Sequence, residues 1–588
     1  MQLQHVGSSS LRGALFLLVT TSALACAPAA FAQSVPNAGT LLNEQRTTPR
    51  PPRPPAEEPA PTLAIEGKPK GTAIGSVSMT IRTIALTGDR DLIAAERLEA
   101  MVQPAIGRTL DHAGLQAIAD DITRTLRQRG YALAYAYLPR QDVTDGALTI
   151  TVVAGRLEQQ GGGVTVTGRT RIPARRLAAI VDTAREGDAP LRSAPLERAV
   201  LLVNDLPGIT ASATLRPGAT AGTSHIDVQA NEASLIGIDL SVDNYGSPST
   251  GSTRVGGGVR LVDPLHIGDQ LIGAVRVTSG STLGNVVYAL PLTPSGLSLT
   301  LSGSYLDYRV NQAQFRALDL TGSAASLSAQ LAYPIVRSRR SNLYAALAFE
   351  HLVLKDDVRG VSISDRRVDD VTLNLSATLI DAIGAGGITD AGVTMTVGTV
   401  DLSRNRDQWL VDRLTARIDG TYARANGHLA REQMLDRDQH WSLFASMTGQ
   451  IASDNLDSSQ KFLSGGPSGV RGYAVGDGIG DQGLLGTLEV RRSLAVRPLR
   501  ANVQLLGFVD GARVWADRHP WSNPGFAASD DSRGLYAAGI GLNASGSQWS
   551  LRTALARRIG GDSSQNALLV GTVDRSDWRA WCQAAFRF

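Results

Sequence analysis

The residues able to do chemistry in this chain are few and poorly grouped. Ser468 comes nearest to an activated nucleophile, because Gly466-Pro467-Ser468-Gly469 surrounds a serine with glycines. A nucleophile elbow needs Gly-x-Ser-x-Gly to hold the serine on a sharp strand-to-helix turn, and the spacing here fails. No Gly-x-x-x-x-Gly-Lys-Ser/Thr cradle for phosphate occurs, and no His-Glu-x-x-His pair for zinc. Gly539-Ile540-Gly541 is at most a fragment of a dinucleotide loop. In a strand, such small residues more simply let neighbouring groups pack close. Positive charge is carried almost entirely by arginine, since the lysines are Lys68, Lys70, Lys355 and Lys461 alone. The net charge is +3 and there is no basic block, so no nucleic-acid partner is expected. These residues predict no enzyme, no metal site and no cofactor.

The elements around those residues are more informative. At 588 residues the chain holds several folding units. Arg12, the apolar run Ala14 to Leu24 and the small-x-small site Ala30-Phe31-Ala32 read as a secretory signal over residues 1–32, with the mature start near Gln33. Ala23 stands three before Cys26, where a lipoprotein signal prefers leucine. Cleavage removes Cys26 and leaves Cys582 alone, so no internal disulfide can form. Beyond the signal no apolar run reaches the roughly 18 residues a membrane helix needs. A membrane location would then require a closed barrel, in which strands satisfy every backbone group.

Residues 33–47 predict a short helix around Thr40 to Gln45. Residues 48–75 predict an extended linker, with the prolines concentrated in 48–61 (TPRPPRPPAEEPAP). From 76 to 158 the pattern is β-α-α-β-β. A strand runs from Met79 to Leu86 and a helix over 111–129 with Leu115, Ile118, Ile122 and Leu126 at helical spacing. Gly130 stops the helix, and strands follow at Tyr131 to Leu138 and Ala147 to Val153 around Asp145-Gly146. The same order returns over 161–234, so the chain carries an internal repeat.

From 235 to 588 the period changes to two. Ile236, Ile238, Leu240 and Val242 alternate with Gly237, Asp239, Ser241 and Asp243. Leu373, Leu375 and Leu379 alternate with Thr372, Asn374, Ser376 and Thr378, and the final stretch puts Trp578, Phe586 and Phe588 on one face. Alternation of this kind over some 350 residues, in strands of about ten, predicts a transmembrane barrel with an apolar outside and a polar lumen.

This order resembles the outer-membrane transporters of two-partner secretion, the haemolysin secretion/activation type, and the small units resemble that family's POTRA domains. The resemblance covers almost the whole mature chain. It rests on Arg129-Gly130-Tyr131, Tyr137-Leu138-Pro139, Gly146-Ala147-Leu148 and Val153-Ala154-Gly155 in the first unit. Leu206-Pro207-Gly208 carries it in the second, and Asp243-Asn244-Tyr245-Gly246 at the barrel's opening. The most specific segment runs from Phe462 to Tyr473 and is followed by Gly480-Asp481-Gln482-Gly483 and Glu489. It is similar to the family's sixth extracellular loop, which implies that Val470, Arg471, Gly472 and Tyr473 form a tip folded back into the lumen. Phe508, Asp510 and Gly511 resemble the wall motif that receives the arginine, with Ala512 where a last glycine is usual. By itself Arg471 reads as a solvated loop residue. The resemblance favours a lumen pair, and an arginine inside a barrel needs a partner in any case.

The resemblance further implies a transmembrane antiparallel β-barrel of sixteen strands behind two POTRA domains. It implies Phe586 and Phe588 as the barrel's C-terminal assembly signal, and residues 33–47 as a plug. The expected partners are a secreted exoprotein, large and β-helical in the manner of an adhesin or haemolysin, outer-membrane lipid, periplasmic chaperones and the barrel-assembly machinery. The expected function is export of that exoprotein, with activation open. The alternative is a barrel-assembly factor of the wider superfamily, which tends to carry three or more small units. A barrel lipase is a weaker third, for want of a nucleophile.

Overall fold

The computed structural model of the protein describes residues 36–46, 63–65, 78–131, 133–141, 145–158, 163–219, 222–496, 501–522, 532–561 and 577–588. The expected signal, 1–32, and most of the expected linker lie outside them. The described residues begin with helix α1 (Ala38–Arg46) and strand β1 (Leu63–Ile65).

The first small unit contains β2 (Met79–Thr80), β3 (Thr83–Gly88), α2 (Ala95–Val102), β4 (Thr109–Leu110), α3 (His112–Gln128), β5 (Tyr135–Tyr137) and β6 (Ala147–Val153). β6 is central, parallel to β3 and antiparallel to β5. Asp111 caps α3, its side chain accepting a hydrogen bond from Gly114 N at 2.8 Å. Leu115, Ala119, Ile122 and Leu126 then face the sheet residues Leu148, Ile150 and Val152. The expected single strand from Met79 to Leu86 is broken at Ile81. That side chain is fully buried, and its backbone pairs instead with Arg108 and Gly107. The expected strand from Tyr131 shortens to Tyr135–Tyr137, because Ala134 N bonds back to Tyr131 O in a turn that delivers Ala134 to the core.

The second unit contains β7 (Arg156–Leu157), β8 (Val164–Arg169), α4 (Ala174–Asp182), α5 (Ser193–Asn204), β9 (Ile209–Pro217) and β10 (Thr223–Glu232). β10 pairs antiparallel with β9 and parallel with both β7 and β8. Two expected boundaries shift here. Arg156 and Leu157, counted with the first unit, belong to the second unit's sheet. Leu63–Ile65, counted as linker, lies parallel to Ala213–Leu215 and covers the outer edge of β9. Open strand edges attract partners, and here the chain's own leader supplies one.

The remaining residues close a sixteen-stranded antiparallel barrel. Its first half is β11 (Ile236–Asp243), β12 (Arg254–Val262), β13 (Gln270–Val277), β14 (Ser281–Pro291), β15 (Ser298–Arg309), β16 (Leu320–Arg337), β17 (Ser341–Val358) and β18 (Val361–Asp381). The second half begins with β19 (Gly387–Asp401), helix α6 (Arg406–Leu414) in an outer loop, β20 (Gly420–Met434) and β21 (Trp441–Ala452). Within the next loop β22 (Phe462–Leu463) and β23 (Ile479–Gly480) pair with each other. β24 (Gln482–Val496), β25 (Ala501–Trp515), β26 (Ser532–Ser545), β27 (Trp549–Gly561) and β28 (Trp578–Arg587) complete the wall. β28 returns to β11, with Phe586 opposite Leu240. Phe588 exchanges both backbone hydrogen bonds with Ile238, at 2.9 and 3.0 Å.

The outward faces explain the period-two pattern. Ile236, Ile238, Leu240 and Val242 are between 41% and 53% exposed. Such exposure is costly in water and favourable in hydrocarbon, and the barrel leaves no free edge within the lipid. Among the described residues no helix is long and apolar enough to cross a membrane.

The second unit sits against the barrel end that carries the short turns. Arg198 of α5 donates to Pro334 O at 2.7 Å and to Ser295 O at 3.2 Å, with its guanidinium 5.7 Å from the Tyr333 ring centre. Arg337 pairs with Asp205 at 2.6 Å, and Arg176 donates to Pro291 O at 3.1 Å. Charge-assisted contacts of this kind to the turns fix the unit's orientation. The long connections 402–419 and 453–481 lie at the opposite end.

Candidate functional site

The loop 453–481 turns back into the lumen instead of projecting outward. Its base is pinned by β22 and β23, and its tip is closed by Val470 N donating to Ser464 O at 2.7 Å. Val470 is fully buried, in a cluster with Phe462, Tyr473, Ala512, Val514, Leu535 and Ala537. Ala512, standing where a glycine is usual, is one of the side chains that this cluster uses. Gly472 lies against the wall: a Cβ there would come within 2.8 Å of the Ala537 side chain. Arg558 Nε donates to Gly472 O at 3.0 Å, and Tyr473 hydroxyl donates to Gly560 O at 2.9 Å.

Arg471 reaches two strands. Its Nε and Nη2 donate to the two oxygens of Asp510 on β25 at 2.8 and 2.7 Å, a two-pronged pair. Its Nη1 donates to Glu489 on β24 at 2.7 Å. Its backbone N–H also bonds Asp510, at 3.1 Å, and the Trp581 indole donates to its carbonyl at 2.8 Å. The guanidinium lies 3.3 Å from the centre of the Phe508 ring. Asp510 has no exposed side-chain surface and Arg471 keeps 11%. Glu489 is shared with Arg491, which also reaches Glu432 at 3.2 Å. Charges thus alternate along a buried row, so that each has a partner of opposite sign.

Of the residues singled out from sequence, the structure brings Val470, Arg471, Gly472, Tyr473, Phe508 and Asp510 together. Gly511 points to the other face of β25, beside Tyr536, and does not join them. Phe586 and Phe588 are on the outer face at the β28–β11 seam. Sequence reasoning assigned no role to Glu489, Arg491, Arg558 or Trp581. Glu489 was accessible from alternation: it lies opposite Phe508 in the ladder between β24 and β25, hence on the lumen side.

The lumen holds a second structure, α1. Leu41 and Leu42 are buried in a cluster with Leu306, Tyr308, Leu352, Leu354 and Val368 on the inner wall. Asn43 Nδ2 donates to Lys461 O at 2.8 Å, Arg276 donates to Gln45 O at 3.1 Å, and Arg46 pairs with Glu350 at 2.6 Å. A nine-residue helix is marginal alone, so these wall contacts hold it.

A sixteen-stranded barrel with two small domains at one mouth, a helix in the lumen and a loop tip bound to the inner wall defines an outer-membrane polypeptide transporter. Residues 222–543, more than half of the chain, match the family described as haemolysin secretion/activation protein ShlB/FhaC/HecB, and residues 79–155 match the ShlB-type POTRA domain. The chain belongs to that secretion family. It is a translocation pore in the outer membrane with its POTRA region in the periplasm.

Among its relatives is the heme/hemopexin transporter protein HuxB of Haemophilus influenzae, 24% identical over 407 residues and covering 69% of this chain and 70% of the relative. The outer membrane transporter CdiB of Escherichia coli is 25% identical over 456 residues, covering 76% and 74%. The solved structure of CdiB from Escherichia coli aligns over the whole of both chains with a TM-score of 0.65 at 18% identity. BamA from Haemophilus ducreyi lacking POTRA domains 1-3 aligns over 87% of this chain and all of its own, with a TM-score of 0.50 at 16% identity. Both structures share the fold.

Proposed function

We propose that the pore exports one secreted partner protein, taken up unfolded by the POTRA region, and that it does so without catalysing a reaction. The observation that carries this reading is the occupied lumen. A small helix tied by side chains, not by strand pairing, fills the space a chain in transit would need. α1 then acts as a plug, and the loop tip at Arg471 holds the lumen wall in its resting arrangement. Among the described residues β5 pairs on one side alone, and its other edge is where an extended chain can add as a strand without much sequence being read. No nucleotide triphosphate is available in the periplasm, so folding of the cargo outside the cell supplies direction. A large β-helical adhesin or haemolysin-like protein suits such a route, because its coils can fold in order as they emerge. Periplasmic chaperones and the barrel-assembly machinery serve the pore's own assembly, with Phe586 and Phe588 as the end they recognise. The barrel-assembly reading is less favoured, because the described residues form two small units and a helix within the lumen. Deletion of residues 79–153, which ends with β6 and leaves β7 to the second unit's sheet, tests the proposal: the barrel should still insert, and the partner should vanish from the medium. Undiminished secretion would refute the role given to the first unit.

A further inference from the structure

Arg366 lies on the inner face of β18 with 5% of its side chain exposed. An arginine has five N–H donors in a rigid fork, so it can tie several groups together at once. Here the groups belong to three different parts of the molecule. Nη1 donates to Asp356 Oδ2 of the neighbouring strand at 2.9 Å. Nε lies 2.6 Å from Asp457 Oδ2, at the foot of the inward-folded loop, as a charge contact without hydrogen-bond alignment. Nη2 donates to Asn37 Oδ1, at the head of α1, at 3.2 Å, and to Ser458 Oγ of the loop foot at 3.1 Å.

The other two parts also touch each other. Ser458 hydroxyl donates to Asn37 Oδ1 at 2.7 Å. A Cβ on Gly39 would fall 2.4 Å from Ser458 Oγ and 2.8 Å from Ser459 N, so helix backbone and loop backbone meet only because residue 39 is glycine. Ala38 N donates to Asp356 Oδ1 at 2.6 Å.

The charges explain the arrangement. Two buried carboxylates, Asp356 and Asp457, share one guanidinium, which leaves one negative charge short of a full partner. The amino end of α1, whose N–H groups carry partial positive charge, is seated on Asp356 and supplies part of the deficit. If the helix leaves, Asp356 loses that donor and draws more strongly on Arg366, and the guanidinium also loses the Asn37 oxygen. Its hold on Asp457 and Ser458 changes with it.

We propose that Arg366 is a positioning residue that couples the plug to the inward-folded loop, so that departure of α1 loosens the loop's foot and a fixed foot retains α1. Coupling of this kind is reciprocal by thermodynamic necessity. The proposal stands on these contacts and would hold equally in a barrel-assembly factor, so failure of the export reading leaves it in place.

Lys461 provides a native reporter. It follows the loop foot directly, and its amine is held by Asp481 at 2.8 Å and Asp517 at 3.1 Å. Its acetylation rate, read by mass spectrometry on the full-length protein in detergent, reports release of the foot. Four proteins are compared: the parent, a deletion of 36–46, Arg366→Gln, and the two changes combined. In the parent background the deletion should speed acetylation at least about fivefold, the lower end of typical couplings. In the Arg366→Gln background the same deletion should add little. Arg366→Lys, which keeps the charge but not the fork, should behave like Arg366→Gln, and heat-modifiable gel mobility checks that each barrel is folded. An equal acceleration with and without Arg366, or none in the parent, overturns the proposal.

Discussion

Replacing Arg471 with alanine removes the cation that faces Asp510. The loss can be apportioned from the contacts. Glu489 keeps Arg491 at 2.7 Å, so it remains paired. Among the described residues Asp510 keeps the Thr487 hydroxyl, at 3.0 Å, and the backbone N–H of residue 471. Most of the penalty therefore falls on one fully buried carboxylate. Breaking a buried pair from one side costs about 3–5 kcal/mol. The barrel's hydrogen-bonded wall is untouched, so insertion should survive, and the loop tip should come free. A second change, Asp510→Asn, isolates the pair. In the Arg471→Ala background it should restore part of the loss, since no buried charge is then stranded, whereas alone it leaves Arg471 with Glu489. A charge swap is a poorer test in this protein, because Arg471→Asp would set a second carboxylate against Glu489. The assay is protease resistance of the loop together with heat-modifiable mobility and the amount of partner in the medium. If Arg471→Ala keeps a resistant loop and normal secretion, or if the two changes add without coupling, the lumen pair has no structural role.

Two other outcomes follow from the architecture. Deleting 36–46 should raise ion conductance in planar bilayers and spare secretion, because α1 is held by side chains and carries no wall strand; unchanged conductance would mean that the helix does not obstruct the pore. Between the two small units, the hydrogen bond from Arg156 of β7 holds the Asp89 carboxyl below the usual carboxylate range, despite partial burial. A depressed folded value stabilises above the unfolded value, about 3.9, and the contribution is lost as pH falls through the folded one. Thermal unfolding of the small units in the full chain should thus weaken below about pH 4, and Asp89→Asn should flatten that dependence; an identical acid response in the variant would remove Asp89 as its cause.

The barrel and its outer face are legible in the local sequence. Which side of a strand meets lipid is a local property, because side chains alternate with a period of two and lipid tolerates only one kind. Ile236 to Val242 and Trp578 to Phe588 state that choice without reference to any other part of the chain. Helix α3 was equally legible, since Leu115, Ile122 and Leu126 lie on one face and Asp111 caps it. The short elements were not. Leu63–Ile65 is a strand only because β9 offers an edge, and Arg156–Leu157 is one only because β10 does. The tip motif marked Arg471 and Asp510 as candidates through family resemblance, and alternation puts Glu489 on the lumen side, but its pairing with Arg471 arises only when the loop folds back against β24. Asn37 and Arg366 are 329 residues apart, and only the closed barrel with α1 seated inside it brings them together. Buried charges take whatever partners the closed lumen brings within reach, and nothing in the local sequence names those partners in advance.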